Sequence, residues 1–295
     1  MKEAIFRGSC TALITPFSED GIDCERLKRQ IDFQAENGTA AIVIAGTTGE
    51  LATLRELEYE TLAAYAVRVT EKRMKVILGI GGNNTQKCLE NARFAQLVGA
   101  DAVLMTPPYY NKTSPQGLTE HFLTVADAAD IPMILYNIPG RTVIGIPMEA
   151  YARLAEHPNI NGVKEASGDF TLIGRVASEL KGKLFLWSGN DDNTIPIMAL
   201  GGLGVISVAS NIIPAQVAKI CEHCLNDDYH SANAVYASYA ALFRALFIET
   251  NPIPVKAAMQ RIGTDSGILR RPLVPISEEH LEVLLKELDR AGLVR

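Results

Sequence analysis

The chain has 295 residues, of which 47% are hydrophobic and 21% charged, and it carries a formal net charge of -6 with a pI of about 5.5. This composition is typical of a soluble globular enzyme with a large core. Without a basic block, nucleic acid and anionic membranes are poor candidates for partners. No apolar stretch reaches the roughly 18 residues of a membrane span, and residues 1–17 lack the apolar core of a signal peptide. We therefore expect a cytoplasmic protein.

Eight short apolar runs recur at fairly even intervals along the chain. They are residues 10–14, 41–44, 76–78, 102–105, 133–136, 160–164, 184–187 and 204–208. Each run is continuous rather than alternating, as expected for parallel strands buried on both faces. Segments with helical periodicity lie between them, at residues 26–37, 56–72, 85–98, 118–127 and 147–155. This alternation predicts an α/β fold, a (β/α)8 TIM barrel, over residues 1–225.

The pattern changes after the eighth run. Residues 214–225, 229–248, 254–262 and 277–291 show helical periodicity with no strand between them. We expect residues 226–295 to form a C-terminal all-helical region packed on the barrel. The alternative fold is a doubly wound open sheet with a dinucleotide site. Its nearest candidate fingerprint, Gly79-Ile80-Gly81-Gly82, lacks the third glycine and the acid that should follow.

Cys221 and Cys224 have the spacing of a metal or redox motif. They also fall on one face of a predicted helix with Val217 and Ile220, and no further ligands accompany them. We interpret the two thiols as part of a packed helix face.

Lys164 ends the sixth apolar run, where a lysine is costly because a buried ammonium must be paired or neutralised. Either the lysine pairs with an acid, for which adjacent Glu165 is the obvious candidate, or it acts as an amine that attacks a carbonyl. Successive residues of a strand point to opposite faces, so Glu165 is poorly placed to pair with it.

Chemistry in such barrels is carried by the loops after the carboxyl ends of the strands. The candidate residues at these ends are Thr47, Thr48, Tyr109, Tyr110, Tyr136, Arg141, Lys164, Gly189, Asp191, Asp192 and Ile206. All five histidines lie elsewhere, which argues against a metal-dependent aldolase or hydrolase. We expect Asp191 and Asp192 to order their loop by hydrogen bonding rather than to bind a cation.

These candidates favour a reaction that proceeds through an imine. Lys164 would attack a keto carbon, and Tyr136 on the neighbouring strand would move protons. An isolated phenol titrates at about pH 10, so it needs a relay, for which Thr47 and Tyr110 are candidates. Thr48 and nearby amides could hold one carboxylate, and Arg141 a second. The alternatives are a threonine helix cap, interface packing of Tyr109 and Tyr110, and pairing of Arg141 with a local acid.

Seven motifs in this order resemble the dihydrodipicolinate synthase family of pyruvate-dependent class I aldolases. They are GTTGE at 46–50, TPPYYNK at 106–112, YNIPGRT at 136–142, VKEASGD at 163–169, GNDD at 189–192, GGLGVISV at 201–208 and NPIPVKAAM at 251–259. The resemblance spans roughly residues 4–290. It implies condensation of pyruvate with L-aspartate-4-semialdehyde, on the way to diaminopimelate and lysine, without a cofactor. It also implies a homotetramer built from tight dimers.

The resemblance implies a role for each residue of the site. Lys164 would form the Schiff base, Tyr136 would donate and accept protons, and Thr47 with Tyr110 would complete the relay. Tyr110 would reach into the site of the neighbouring subunit.

The resemblance also implies which residues hold the substrates. Thr48 and Ile206 would contact pyruvate, Gly189 would join the substrate-binding residues, and Arg141 would anchor the semialdehyde.

Family members inhibited by lysine bind it at a dimer interface, and the corresponding positions here are Leu51, Glu56, Tyr59, Asn83, Lys87 and Tyr109. Asn83 and Tyr109 fit such a site. Leu51 stands where a small polar residue is expected, and Lys87 stands where inhibited enzymes carry a glutamate. Lys87 would repel the amine of the ligand, so we expect weak or absent feedback by lysine.

Two other functions stay open. An N-acetylneuraminate lyase or a 2-keto-3-deoxy sugar acid aldolase shares the lysine and the tyrosine, although Arg141, Thr48 and the bulk of Tyr110 favour a short dicarboxylic product. A non-catalytic binding or regulatory barrel is disfavoured by the intact set of Lys164, Tyr136 and Thr47.

Overall fold

The computed structural model describes residues 2–294, so the first and last positions of the two predicted units lie outside it. Its strands are β1 (Gly8–Ala12), β2 (Phe17–Ser18), β3 (Gly21–Ile22), β4 (Ala41–Ile44), β5 (Lys75–Gly79), β6 (Ala102–Met105), β7 (Met133–Asn137), β8 (Ile160–Glu165), β9 (Phe185–Ser188) and β10 (Gly204–Ser207). Strand β1 and strands β4 to β10 form a closed parallel barrel, in which β10 pairs back with β1. The predicted fold class is therefore confirmed, and the doubly wound sheet is excluded.

The helices are α1 (Cys24–Glu36), α2 (Glu56–Thr70), α3 (Thr85–Leu97), α4 (Pro115–Ala126), α5 (Pro139–Thr142), α6 (Met148–Leu154), α7 (Phe170–Glu179), α8 (Thr194–Ala199), α9 (Pro214–Leu225), α10 (Tyr229–Ala245), α11 (Ile253–Arg261) and α12 (Glu278–Arg290). Short 3-10 turns cover Leu51–Thr53, Asp191–Asn193 and Ala209–Asn211. No helix within residues 2–294 is long and apolar enough to span a bilayer.

The inside of the barrel is packed at its amino-terminal end. Trp187 of β9 stacks on Phe6 with ring centroids 4.9 Å apart, and its indole donates to the Phe6 carbonyl at 3.3 Å. Apolar side chains of β1, β4 and β5 fill the layers around them, including Cys10, Val43 and Ile77. With this end filled by apolar side chains, polar side chains gather at the carboxyl end of the strands.

The C-terminal helices continue the packing of the barrel. Helix α9 contacts both β1 and α10, and α12 packs on α10 and α11. The packing is thus continuous across residue 225, and the division into residues 1–225 and 226–295 stays a prediction.

The C-terminal region also binds the loop after β4, through an ion pair and hydrogen bonds. Lys256 of α11 pairs with Glu50 at 2.5 Å, and both side chains are almost fully buried. The Arg270 amide donates to the other Glu50 oxygen at 3.0 Å, while the Arg270 guanidinium binds both oxygens of Glu58. The GTTGE loop is therefore held from outside the barrel, at its acid.

Candidate active site

A cavity of about 500 Å³ opens at the carboxyl ends of the strands. Its wall is formed by the segments that follow β4, β5, β6 and β7, closed on one side by residues 250–252 and 272–273. Among the predicted catalytic and substrate-binding residues, Thr47, Tyr136 and Arg141 line it. Lys164, Thr48, Gly189, Ile206 and Tyr110 do not line it.

Lys164 lies directly behind the Tyr136 side of the cavity. The parallel register of β7 and β8 places Tyr136 beside Lys164, and the Lys164 Nζ lies 4.0 Å from the centre of the Tyr136 ring. Both side chains are buried, each 5% exposed. Unlike Lys256, Lys164 has no carboxylate partner within the described chain. Cys10 is close by, but burial raises the pKa of its thiol, so it is a neutral neighbour.

Glu165 points away from Lys164, as predicted. It is fully buried behind the barrel wall. Its carboxylate accepts from Asn137 Nδ2 at 2.5 Å, from the Tyr151 hydroxyl at 3.0 Å, and from the amide and hydroxyl of Ser167 at 3.1 and 2.7 Å. Burial and the nearby Glu165 charge raise the pKa of Tyr151 well above its ordinary value. Glu165 is thus satisfied by neutral donors and does not neutralise Lys164.

Neither threonine of the GTTGE loop caps a helix. The N-cap of α2 is Arg55, and no side chain caps the 3-10 turn at residues 51–53. Thr47 is half-buried at the cavity wall. Thr48 is buried, and its Oγ1 accepts a hydrogen bond from Asn251 Nδ2 at 2.9 Å. The alternative that a threonine of this loop caps the next helix is therefore wrong, and neither hydroxyl is used for capping.

Arg141 is exposed at the mouth of the cavity on the short helix α5. Its Nη2 donates to the main-chain carbonyl of Asn251 at 3.0 Å. No acid of residues 2–294 forms an ion pair with it, so the alternative of pairing with a local carboxylate is wrong. The rest of the guanidinium remains available for a bound carboxylate.

Gly189 and Ile206 are buried near the ends of β9 and β10. The Gly189 amide donates to the Glu165 carbonyl at 2.6 Å. A Cβ on Gly189 would lie 2.8 Å from Ala166 Cβ and 2.9 Å from that same carbonyl, so only glycine fits. Ile206 packs in the barrel interior in the same cluster as Tyr136. Their predicted contacts with substrate stay predictions.

Tyr110 lies apart from the other predicted relay residues. Its side chain is 91% exposed, and its backbone has φ of 67°. Adjacent Tyr109 is 38% exposed and lines the cavity. A single chain therefore does not bring Tyr110 to Thr47 and Tyr136.

Asp191 orders the loop after β9, as predicted, whereas Asp192 is exposed and its loop-ordering role stays a prediction. The buried carboxylate of Asp191 accepts from the Ser207 hydroxyl and from the amides of Val208 and Ala209, both at 3.1 Å. Burial raises the pKa of this carboxyl. No group of three histidine, cysteine or acidic side chains in residues 2–294 is arranged to hold a metal ion.

Cys221 and Cys224 lie on the buried face of α9, as predicted. Both are free thiols, and burial raises the pKa of Cys224 to about 11. They contribute packing to the interface between the barrel and the C-terminal helices.

The six positions of the expected lysine site lie together along the same cavity. They are Leu51, Glu56, Tyr59, Asn83, Lys87 and Tyr109. The Lys87 ammonium pairs with Glu56 at 2.6 Å. Tyr59 is buried, and its hydroxyl has no hydrogen-bond partner in the described residues. The two charged residues among these six, Lys87 and Glu56, thus form an exposed ion pair with each other.

Asn251 is the site residue that the sequence pattern did not single out. It begins the NPIPVKAAM motif, but no local pattern connects it with the GTTGE loop. In the structure it lines the cavity and contacts both Thr48 and Arg141.

Known proteins resemble this chain over nearly its whole length. The profile of the dihydrodipicolinate synthetase family matches residues 5–291. A 4-hydroxy-tetrahydrodipicolinate synthase from Thermoanaerobacter sp. (strain X514) is 46% identical over 293 residues, which cover 99% of this chain and 98% of the relative.

Solved structures give the same result. A dihydrodipicolinate synthase from Aquifex aeolicus is 42% identical and superposes with a TM-score of 0.96, covering 98% of this chain and 99% of that chain. A chloride-inhibited dihydrodipicolinate synthase from Acinetobacter baumannii, complexed with pyruvate, is 39% identical with a TM-score of 0.95, covering 98% and 99%. The similarity includes the barrel and the C-terminal helices, and the predicted family is confirmed. The chain belongs to the dihydrodipicolinate synthetase family.

Proposed function

We propose that this chain is a lyase that condenses pyruvate with L-aspartate-4-semialdehyde and forms 4-hydroxy-tetrahydrodipicolinate. The predicted activity agrees with the names of its relatives. The observation that carries the proposal is the pair of Lys164 and Tyr136. The buried amine has no carboxylate partner in the described part of the chain and lies beside a phenol that lines the cavity.

The reaction begins with attack of the Lys164 amine on the keto carbon of pyruvate. Water leaves and an imine forms, whose cationic nitrogen makes the methyl protons acidic. Removal of one such proton gives an enamine, and we assign that proton transfer to the phenol of Tyr136, whose ring lies beside Lys164. The enamine carbon attacks the aldehyde of the second substrate. The amine of that substrate then replaces Lys164 at the former keto carbon, which closes the ring and frees the lysine.

The balance of this sequence needs no oxidant, reductant or metal. One water is released, and every proton that is removed is returned to an oxygen or nitrogen of substrate or enzyme. We therefore propose that the reaction proceeds without a cofactor.

The dimer, not the monomer, is the proposed active unit, as part of a tetramer built from tight dimers. Tyr136 alone is a poor base, and Thr47 is the relay hydroxyl that lines the same cavity. Tyr110 points outward, with its phenol free to enter the cavity of a second copy. Holding a tyrosine in the left-handed region costs roughly 1–3 kcal/mol, which supports a functional constraint at this position.

Two alternatives remain for the second substrate and for the class of protein. A sugar-acid lyase of the same superfamily would accept a polyhydroxylated aldehyde, and a non-catalytic barrel would bind without turnover. A coupled assay separates them, with pyruvate supplied together with aspartate semialdehyde or with N-acetylmannosamine. We expect turnover with the semialdehyde. Turnover with the sugar alone would contradict the proposed substrate, and no turnover with either aldehyde would contradict catalysis.

The cytoplasmic location stays a prediction.

Replacing Arg141 by alanine is expected to raise the KM for aspartate semialdehyde roughly 10- to 100-fold, the effect of losing a charged hydrogen-bond donor to a carboxylate. Capture of pyruvate should not change. An Arg141→Lys variant keeps the charge but loses the two-pronged donor, so it should recover only part of the affinity. Steady-state rates with each substrate varied in turn give both constants. An unchanged KM for aspartate semialdehyde would contradict the proposed role of Arg141 in binding that substrate.

L-Lysine is expected to inhibit weakly or not at all. The cavity wall offers the ligand amine the Lys87 ammonium, whose charge repels it, and Glu56 is already paired with Lys87. Steady-state rates should stay flat as lysine is raised to millimolar concentrations. A Lys87→Glu variant should become more sensitive, because a carboxylate then faces the ligand. Inhibition of the unaltered protein by sub-millimolar lysine would overturn this expectation.

A further inference from the structure

Asn251 occupies the point where the C-terminal region meets the cavity. It is 6% exposed and lies just before helix α11. Its side-chain Nδ2 donates to Thr48 Oγ1 at 2.9 Å, and its main-chain carbonyl accepts from Arg141 at 3.0 Å. One residue therefore contacts both side chains that are proposed to hold the carboxylates of the two substrates.

The direction of the contact with Thr48 determines what that hydroxyl can do. A threonine hydroxyl has one proton to donate and lone pairs that accept. Asn251 fills an accepting position, so the proton of Thr48 is directed elsewhere, and no acceptor in residues 2–294 receives it. A carboxylate only accepts hydrogen bonds. A hydroxyl held in this way can donate its hydrogen bond to a bound carboxylate.

The other end of the Asn251 side chain shows what this orientation costs. Its Oδ1 is buried and has no hydrogen-bond partner among the described residues, which costs stability. With the amide reversed, Oδ1 would accept the Thr48 proton, and the hydroxyl would have none to offer to a substrate. The orientation in the structure keeps that proton available.

We propose that Asn251 is a positioning residue, whose side chain orients the Thr48 hydroxyl toward the carboxylate of pyruvate and whose carbonyl separately orients Arg141. The inference rests on the proposed function. Because the two contacts use different atoms, a change of the Asn251 side chain acts on pyruvate and leaves the semialdehyde anchor in place.

The test measures each substrate separately. The pyruvate concentration that gives half-maximal borohydride-trapped adduct reports the first site, and the KM for aspartate semialdehyde reports the second. Asn251→Ala should raise the first value roughly 5- to 10-fold, as for a lost hydrogen bond, with little change in the second. Asn251→Asp is nearly isosteric and should raise it further, because its carboxylate takes the Thr48 proton and repels pyruvate.

A double-mutant cycle distinguishes positioning from general loosening of the structure. In a Thr48→Val background the hydroxyl is absent, so adding Asn251→Ala should cause no further loss of pyruvate capture. Val255→Ala, in a buried position of the following helix, is the control for destabilisation and should leave pyruvate capture unchanged.

The possible results separate the proposed positioning role from the proposed function. An equal effect of Asn251→Ala with and without the Thr48 hydroxyl would overturn the proposal, and so would an equal rise in both constants. If the alanine variant does not fold, the Asp variant carries the same comparison. Failure of the unaltered protein to form any pyruvate adduct would instead reject the proposed function.

Discussion

A Lys164→Met variant is expected to lose the condensation activity while remaining at least as stable as the unaltered protein. Methionine has nearly the same shape but cannot form an imine, so kcat/KM should fall by at least roughly 1000-fold. Lys164 is buried beside a tyrosine ring, and no carboxylate of residues 2–294 pairs with it. Its removal therefore relieves the desolvation cost of an ammonium instead of breaking an ion pair. Coupled rates and a thermal melt measure both effects on one sample.

The matched control is the other buried lysine. Lys256 pairs with Glu50 at 2.5 Å, and its side chain is fully buried. Lys256→Met leaves the Glu50 carboxylate buried without a counter-charge, which should cost about 3–5 kcal/mol of stability. The folded fraction should still capture pyruvate. If Lys164→Met is destabilised as much as Lys256→Met, Lys164 has a structural role and the interpretation as a nucleophile loses its physical basis.

A Tyr110→Phe variant is expected to lose most of its turnover, roughly 100-fold or more, the usual effect of removing a proton-transfer group. It should keep its capacity to bind pyruvate, because no predicted pyruvate contact includes Tyr110. Tyr110 is 91% exposed in the chain, so in the proposed relay its phenol would act in the cavity of a second copy. Tyr109→Phe is the matched control, one residue away on the cavity wall, and should retain most activity.

Mixing two inactive variants tests the subunit crossing directly. A dimer that combines Lys164→Met with Tyr110→Phe contains one site with an intact lysine and an intact tyrosine from the other chain. Random exchange makes half of the dimers hybrid, so roughly a quarter of full activity should return, as the two-fold symmetry of the pair requires. Mixtures that stay inactive after proven exchange, or a fully active Tyr110→Phe protein, would contradict the relay.

The barrel was predictable from the sequence because its strands are continuous apolar runs. The runs at residues 41–44 and 102–105 match β4 and β6 in both bounds. The hairpin of β2 and β3 was missed, since strands of two residues carry no periodic signal. Helix α7 was also missed, although Asp169 is its N-cap and accepts hydrogen bonds from the amides of Thr171 and Leu172.

The pairing of Lys164 with Tyr136 in the candidate site was predictable for a related reason. Lys164 and Tyr136 are the next-to-last residues of neighbouring strands, and parallel register brings neighbouring strand ends together. Asn251 could not be found in this way, because it lies 203 residues from its partner Thr48 and comes from the C-terminal region. The predicted crossing of Tyr110 into the site of a neighbouring subunit cannot be seen in one chain, and only the resemblance implied it.

The most direct measurement is the identity of the residue that captures pyruvate. The protein is incubated with pyruvate and reduced with borohydride, and the intact mass and the digested peptides are then measured. The proposed chemistry predicts one pyruvyl adduct per chain, on the peptide that carries Lys164, and none in Lys164→Met. An unmodified protein, or an adduct on another lysine such as Lys256, would contradict it.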